Sequence, residues 1–235
     1  MTARVCAIHQ PNYIPWAGYF NKIANADVFV FLDTVDYSKG APVFKRNFVK
    51  MNGRRTALSI PSGPKQIPLN RIEVPSDRRW IRDHLKSLQM AYAKAPHYEE
   101  FVGPLRSVYE AEYSTVVALN IAIVRHLCRL FSVTTETVVE SALGREFGTK
   151  NERLINLCLH LDANVYLSGT GARKYNDEDL FGSHGIALVY QRFKYPEGYP
   201  QVGEEFVEDL SVLDMLFNLG PDATAEIVKQ SSLSE

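Results

Sequence analysis

The sequence predicts an α/β protein: a mainly parallel, Rossmann-like sheet with a β-hairpin and a helical insertion. Three observations carry this expectation. The N-terminal stretch reads strand, polar loop, helix, strand, which is a βαβ unit. The middle of the chain carries apolar residues at helical spacing over more than one helix length. Toward the C-terminus, short apolar runs at 165–167 and 186–190 bring back the α/β pattern.

Taken in order, residues 5–8 have the length and composition of a buried strand. Pro11 ends regular pairing, and Pro15 suits the first turn of a helix, whose N–H groups lack partners anyway. A second apolar run, 28–32, ends at Asp33. Residues 44–50 then alternate apolar and polar, and Asn52-Gly53 is a strong hairpin signal, so a hairpin is expected over 44–60. Four prolines between 61 and 75 predict irregular chain. Three helices follow. In the first, Ser76 or Asp77 is the cap, Trp80, Ile81, His84, Leu85, Leu88 and Tyr92 recur on one face, and Ala95-Pro96 is the end. The second is expected at 104–112 and the third from Ser114 to Phe131. Residues 137–140 are a strand candidate. A helix over 150–161 has Thr149 as N-cap and Glu152 at the capping-box position. Two helices, at 210–218 and 222–229, close the chain. The expected organisation is an N-terminal βαβ unit and hairpin (1–75), a helical insertion or subdomain (76–132), and an α/β part completing the same domain (133–235).

Bulk composition excludes several classes. A chain of 235 residues, 46% hydrophobic and 23% charged, buries enough surface to fold without disulfides or metal. Its formal net charge of −1 weighs against a nucleic-acid binder. Cys6, Cys128 and Cys158 lie far apart in apolar stretches, which suits buried thiols rather than a disulfide framework. There is no CxxC or HExxH, so no metal ligand set is assigned. No apolar run approaches the ~20 residues of a membrane span, and residues 5–8 are too few for a signal-peptide core. A cytoplasmic protein without membrane insertion is the expectation.

The run His9-Gln10-Pro11-Asn12-Tyr13-Ile14-Pro15-Trp16 with Gly18-Tyr19 resembles the opening signature of the WbqC-like family. The likeness continues through Asp27-Val28-Phe29-Val30, Leu32-Asp33, Tyr37-Ser38-Lys39 and Arg46-Asn47. It resumes at Tyr166-Leu167-Ser168-Gly169, Gly171-Ala172 and Tyr175, and closes with Tyr199-Pro200-Gln201, Leu210-Ser211-Val212-Leu213-Asp214, Phe217-Asn218 and Gly220. The resemblance covers nearly the whole chain. It implies a setting in bacterial surface-polysaccharide (O-antigen) or natural-product biosynthesis. The strand–turn–helix opening is also similar to the nucleotidylyltransferase-like fold, whose first helix opens with HxGH. Here that register holds Trp16-Ala17-Gly18-Tyr19, with aromatics in place of both histidines.

In open α/β sheets the ligand crevice lies at the carboxyl ends of the strands. His9, Gln10, Asn12 and Asp33 are expected there. His9 has an ordinary pKa of about 6.5, suited to general acid/base work; the other reading is a histidine that shapes the loop. Gln10 and Asn12 are neutral amides suited to sugar hydroxyls, amides or a developing oxyanion, and Asn12 also suits a side-chain turn. Asp33 reads either as a partner for a base or amine, or as a turn cap. The candidate catalytic set is His9, Asn12 and Asp33. Trp16, Tyr19 and Tyr37 are candidates to stack on a base or sugar, with helix packing the alternative for Trp16 and Tyr19. Lys39, Arg46 and Asn47 join Gln10 and these aromatics as the substrate-binding set, while Lys50, Arg54 and Arg55 read as a solvated hairpin tip. Ser168, Gly169, Thr170, Arg173 and Lys174 form a candidate anion- or phosphate-binding loop, in which hydroxyls and a guanidinium add to backbone donors. The loop Tyr195-Pro196 to Tyr199-Pro200-Gln201 reads as a lid or a rigid connector.

These residues lead to an expected transferase or ligase that joins an acyl or aminoacyl group to an amine on a nucleotide-linked sugar or small metabolite. The donor stays open among an ATP-activated acid, an acyl thioester or other carrier-bound acyl group, and aminoacyl-tRNA. ATP with Mg²⁺ enters only in the first case. The alternatives are a sugar-nucleotide-dependent glycan-pathway enzyme and a non-catalytic binding or scaffold protein.

Overall fold

The computed structural model describes residues 2–37, 42–61 and 66–232. A five-stranded sheet runs in the order β5-β2-β1-β6-β7, with every neighbouring pair parallel. Its strands are β1 (Val5–His9), β2 (Val28–Phe31), β5 (Glu136–Val139), β6 (Val165–Ser168) and β7 (Ala187–Tyr190). β1 is central, pairing Cys6 with Val28 on one side and with Tyr166 on the other. The chain leaves β1 in one direction to build β2 and β5, then returns past it to build β6 and β7. That reversal puts the topological switch point between β1 and β6. The architecture is Rossmann-like, as expected.

Side chains alternate across the sheet, as the period of two requires. Val5, Ala7, Phe29, Phe31 and Leu167 face a large core with α1 (Ala17–Ala24), α4 (Val116–Leu130) and α7 (Val212–Val228). Cys6, Ile8, Val28, Val30 and Tyr166 face a smaller core under α5 (Lys150–His160) and α6 (Glu178–Ser183). The β2-to-β5 crossover carries the hairpin of β3 (Arg46–Met51) and β4 (Arg54–Ser59), then α2 (Arg79–Tyr92), α3 (Tyr98–Glu110) and α4. Residues of α2 and α3 belong to the same continuous core as α1 and the sheet. Among the described residues no helix is long and apolar enough to cross a membrane.

The hairpin turns at Asn52 and Gly53, both at positive φ (52° and 68°), the geometry that an Asn-Gly type I′ turn demands. Two closing helices were expected; α7 runs through both stretches but breaks at Gly220 (φ 81°), followed by Pro221. Glycine is required there on two counts, because a Cβ would also meet the His97 ring at 2.9 Å. Other expectations are corrected. α3 begins at Tyr98, not at 104, and Pro104 lies inside it. The buried face of Tyr98, Phe101, Val102, Leu105 and Tyr109 outweighs the lost hydrogen bond. At α5 the capping box does not form: the Thr149 hydroxyl makes no cap bond, and Lys150 has a φ of 50°. The short helix α6, capped by Asp177 through Leu180 N at 3.0 Å, was not foreseen.

Candidate functional site

The loop from Gln10 to Trp16 crosses the carboxyl end of the sheet and is tied down from several sides. The Asn120 amide of α4 donates to Pro11 O (2.8 Å) and Phe44 O (2.7 Å). Tyr13 N donates to Val43 O, and Asn47 Nδ2 donates to Ile14 O at 2.8 Å. Ile14 is fully buried with a φ of 35°, a conformation a β-branched residue adopts only when its surroundings impose it.

Two cavities open beside this loop, of about 490 and 320 Å³. Both are lined by His9 and Trp16, so they are two lobes of one cleft at the switch point. The hairpin lobe adds Asn12, Arg46, Asn47, Phe48, Arg55 and Asp209. The β6 lobe adds Lys22, Gly169, Thr170, Gly171, Gln191 and Arg192, with Tyr19 and Phe193. Trp16 is 39% exposed, stands edge-on to Phe193 at 5.6 Å, and lies over Gly18, where any Cβ would overlap its indole.

The polar groups of the cleft are unusual in what they lack. His9 Nδ1 lies 3.1 Å from Gln10 O. A carbonyl only accepts, so the proton sits on Nδ1, and the Nε2 lone pair has no hydrogen-bond partner among the described residues. Burial, reinforced by the Lys22 ammonium, pushes the imidazole pKa down to about 3, so His9 is neutral at physiological pH. Asn12 is 4% exposed, and its Oδ1 has no hydrogen-bond partner among the described residues. Lys22 is also 4% exposed; its Nζ reaches Ile8 O at a long 3.4 Å, and burial lowers its pKa to about 8. In the hairpin lobe, the Arg46 and Arg55 guanidiniums both lie over the Phe48 ring (5.0 and 4.3 Å), and Arg55 reaches Asp209 at 3.5 Å.

The structure sorts the sequence-derived candidates. His9, Asn12, Trp16, Tyr19, Arg46, Asn47, Gly169 and Thr170 line the cleft. Gln10 takes part through its backbone: its carbonyl also accepts from Tyr19 OH at 2.9 Å. Asp33 lies outside. It is 1% exposed, and its two oxygens accept from Ser141 N (3.0 Å) and Ser141 Oγ (2.6 Å), capping the turn after β5. Tyr37 lines neither lobe; it packs on Phe44 with the Lys45 ammonium over its ring. Lys39 is outside the described residues. Ser168 is fully buried and accepts from Asn176 Nδ2 at 2.9 Å. Arg173 turns away to lie over the Tyr190 ring, and Lys174 lies near Tyr175. The cations that line the β6 lobe are instead Lys22 and Arg192. At the hairpin, Lys50 is buried and donates to Glu205 O, not solvated as expected.

The aromatic-proline loop is a fixed connector rather than a lid. Tyr199 OH (2.7 Å) and Gln201 Nε2 (2.9 Å) both donate to Asp214 Oδ2, and Tyr92 OH donates to Oδ1 (2.8 Å). Gln191 Nε2 ties the chain after β7 to α1 through Gly18 O and Asn21 Oδ1, both at 2.7 Å. Lys22, Gln191 and Arg192 were missed in the sequence. Lys22 left one signal: it is a charge on a helix whose residues are buried from Ala17 to Ile23.

No solved structure matches the chain. The uncharacterized protein Rv1507c of Mycobacterium tuberculosis (strain ATCC 25618 / H37Rv) is 31% identical over 220 residues, covering 92% of this chain and 94% of that relative. The model of the WbqC-like protein family matches residues 10–226. That span takes in the cleft loop, the hairpin, the loop after β6 and the Asp214 connector, and the chain belongs to the WbqC-like protein family.

Proposed function

We propose that this chain is a group-transfer enzyme that joins an acyl or aminoacyl group to an amine on a nucleotide-linked sugar or small metabolite. The observation that carries the reading is the pair of lobes meeting at His9 and Trp16. A two-substrate reaction needs two binding spaces that converge on one reactive centre, and proximity alone supplies much of the acceleration.

In the proposed step the amine nitrogen attacks the acyl carbon, and a C–N bond forms. The bond from that carbon to the donor's leaving group breaks, and the leaving group takes the electron pair. The nitrogen must shed one proton. His9 Nε2 receives it, a role open to a neutral imidazole whose other nitrogen is already a donor. Asn12 Oδ1, buried and unpartnered, accepts a second N–H of the amine and points its lone pair at the donor. Arg46 and Arg55 hold the substrate in the hairpin lobe. The donor is an activated acid, a thioester or an aminoacyl ester; ATP and Mg²⁺ are needed only if activation occurs on this chain.

The test pairs acyl donors (ATP with free acids, acyl-CoA, charged tRNA) with amino-sugar nucleotides and follows amide formation by mass spectrometry. Amide formation that falls roughly 10²–10⁴-fold in His9→Asn, with folding intact, is the expected result. A thermal shift with a sugar nucleotide and no acyl-donor dependence moves the reading to a sugar-nucleotide enzyme of another kind. Pathway output unchanged in both His9→Asn and Asn12→Ala overturns catalysis at this cleft and leaves a binding or scaffold role.

A further inference from the structure

Lys22 is a buried charge that its surroundings leave largely unsatisfied. Its ammonium carries three donors, yet among the described residues it meets only the Ile8 carbonyl, at 3.4 Å, and no carboxylate. Burying an unpaired charge costs stability, and nothing in the packing of α1 requires a lysine there. Residues either side of it, from Ala17 to Ile23, are buried as helix and sheet filling. The ammonium lies beneath the loop after β6, 3.7 Å from where a Cβ on Gly169 would stand. Thr170 brings a hydroxyl to the same lobe, and Arg192 brings a guanidinium that is exposed at its edge.

Charge separates the two lobes. In the hairpin lobe, Asp209 offsets Arg55. Among the described residues, the lining of the β6 lobe holds Lys22 and Arg192 and no acidic residue. Two cations with a hydroxyl donor, facing no carboxylate, match a dianion better than they match the single charge of a carboxylate. The volume of about 320 Å³ suits a phosphate group and what is directly attached to it, with Trp16 and Phe193 as the apolar wall.

We infer that the lobe between α1 and the 169–171 loop is a phosphate-binding site, with Lys22 as its buried counter-charge and Arg192 as its rim cation. Resting on the group-transfer reading, the substrate that reaches His9 from this side is a phosphorylated small molecule. This site differs from the one expected from sequence, because Arg173 and Lys174 take no part in it. It also connects to His9. The Lys22 charge helps hold the imidazole neutral, and a bound phosphate that compensates this charge leaves Nε2 more basic when substrate is in place.

The experiment is calorimetric titration of the full chain with inorganic pyrophosphate, UDP and uridine, repeated on Lys22→Met, Lys22→Arg and Arg173→Ala. Lys22→Met removes a buried unpaired charge, so its fold is retained; Lys22→Arg keeps the charge in a larger group. Pyrophosphate and UDP are expected to bind and uridine to bind far more weakly. Lys22→Met should weaken both phosphate ligands roughly ten- to a hundredfold, Lys22→Arg less, and Arg173→Ala not measurably. Equal affinity in wild type and Lys22→Met, or loss in Arg173→Ala alone, overturns the site. Binding of pyrophosphate through Lys22 with no amide formed from any donor upholds the phosphate site and sinks the group-transfer reading. Amide formation with phosphate affinity untouched by Lys22→Met does the reverse.

Discussion

Two polar clusters can be compared in this molecule, one around Asp214 and one around His9, and apart from His9 itself their residues lie in the family's matched span. Around Asp214, every partner is in place: the carboxylate is fully buried and accepts from Tyr92, Tyr199 and Gln201. Around His9, which is half-buried, Asn12 and Lys22 are nearly as deeply set, but the groups are unfinished. Among the described residues, Asn12 Oδ1 has no partner, Lys22 has one long hydrogen bond, and His9 Nε2 meets no hydrogen-bond partner. Completed networks fix a fold; incomplete ones in a cleft cost stability and are kept where a ligand completes them. Motif membership alone does not separate these roles, and the hydrogen-bond accounting does.

Breaking the completed cluster should give the largest effect. Asp214→Ala takes the acceptor from the buried Tyr92 hydroxyl and the half-buried Tyr199 hydroxyl and one of the two acceptors of the Gln201 amide, and should destabilise the fold by about 3–5 kcal/mol in urea unfolding. At this chain length that lowers the melting midpoint by about 10 °C. A loss below about 1 kcal/mol would show that the cluster is not what holds the 199–201 connector to α7.

Lys22→Met should move stability the other way. Lys22 has a folded pKa of about 8 against an unfolded 10.5. At pH 7 both states are protonated, and only the folded state bears the desolvation cost. Removing the charge should therefore add about 2 kcal/mol while phosphate binding weakens, as for other strained functional groups. The sign gives a second check. Between pH 8 and 10.5 the unfolded chain holds the extra proton, so wild-type stability should rise with pH there, and Lys22→Met should not share that rise.

How much of this was legible in the sequence follows from the range of the interactions. The unit β1–α1–β2 was readable because its apolar runs, its prolines and Asn12 are contiguous, and strand ends put His9 at the crevice. Asn52-Gly53 announced the hairpin by local backbone geometry alone. The site failed to read wherever direction mattered. Arg173 and Lys174 neighbour the loop in sequence, yet they follow a 3₁₀ turn over Thr170–Ala172 that redirects the chain, and Arg173 ends over Tyr190. Asp33 stands at the end of β2, but its side chain meets Ser141, which is 108 residues away in sequence. Gln191 reaches Gly18 across 173 residues. No local pattern encodes such contacts. Lys22 was the exception, since a charge on a buried helix face is a local anomaly.

The open cluster can be sharpened by acid. His9 has a folded pKa of about 3 and an ordinary value of 6.5, so the unfolded chain takes up this proton first as pH falls. Stability should then drop between pH 6.5 and 3, with a slope of up to about 1.4 kcal/mol per pH unit from this one group. His84, lowered to about 4 by burial, adds a similar slope. His9→Asn should remove one share and leave the other. An unchanged slope would mean that His9 protonates freely in the folded state and is not the neutral base of the cleft.

The smallest expected change in stability concerns Gly18, and it separates shape from charge. Alanine at this second position of α1 gains about 1 kcal/mol of helix propensity. Its Cβ overlaps the Trp16 indole, however, and the exposed ring must swing off the helix and away from Phe193. The two terms offset, so Gly18→Ala should change stability by less than about 1 kcal/mol. Trp16 and Trp80 are the two tryptophans, and Trp80 is buried, so a red shift in emission reports the indole's departure. Because Trp16 walls both lobes, ligands on the two sides should weaken together, whereas Lys22→Met weakens the phosphate side alone. If Gly18→Ala weakens one lobe only, the two cavities are separate sites rather than halves of one cleft.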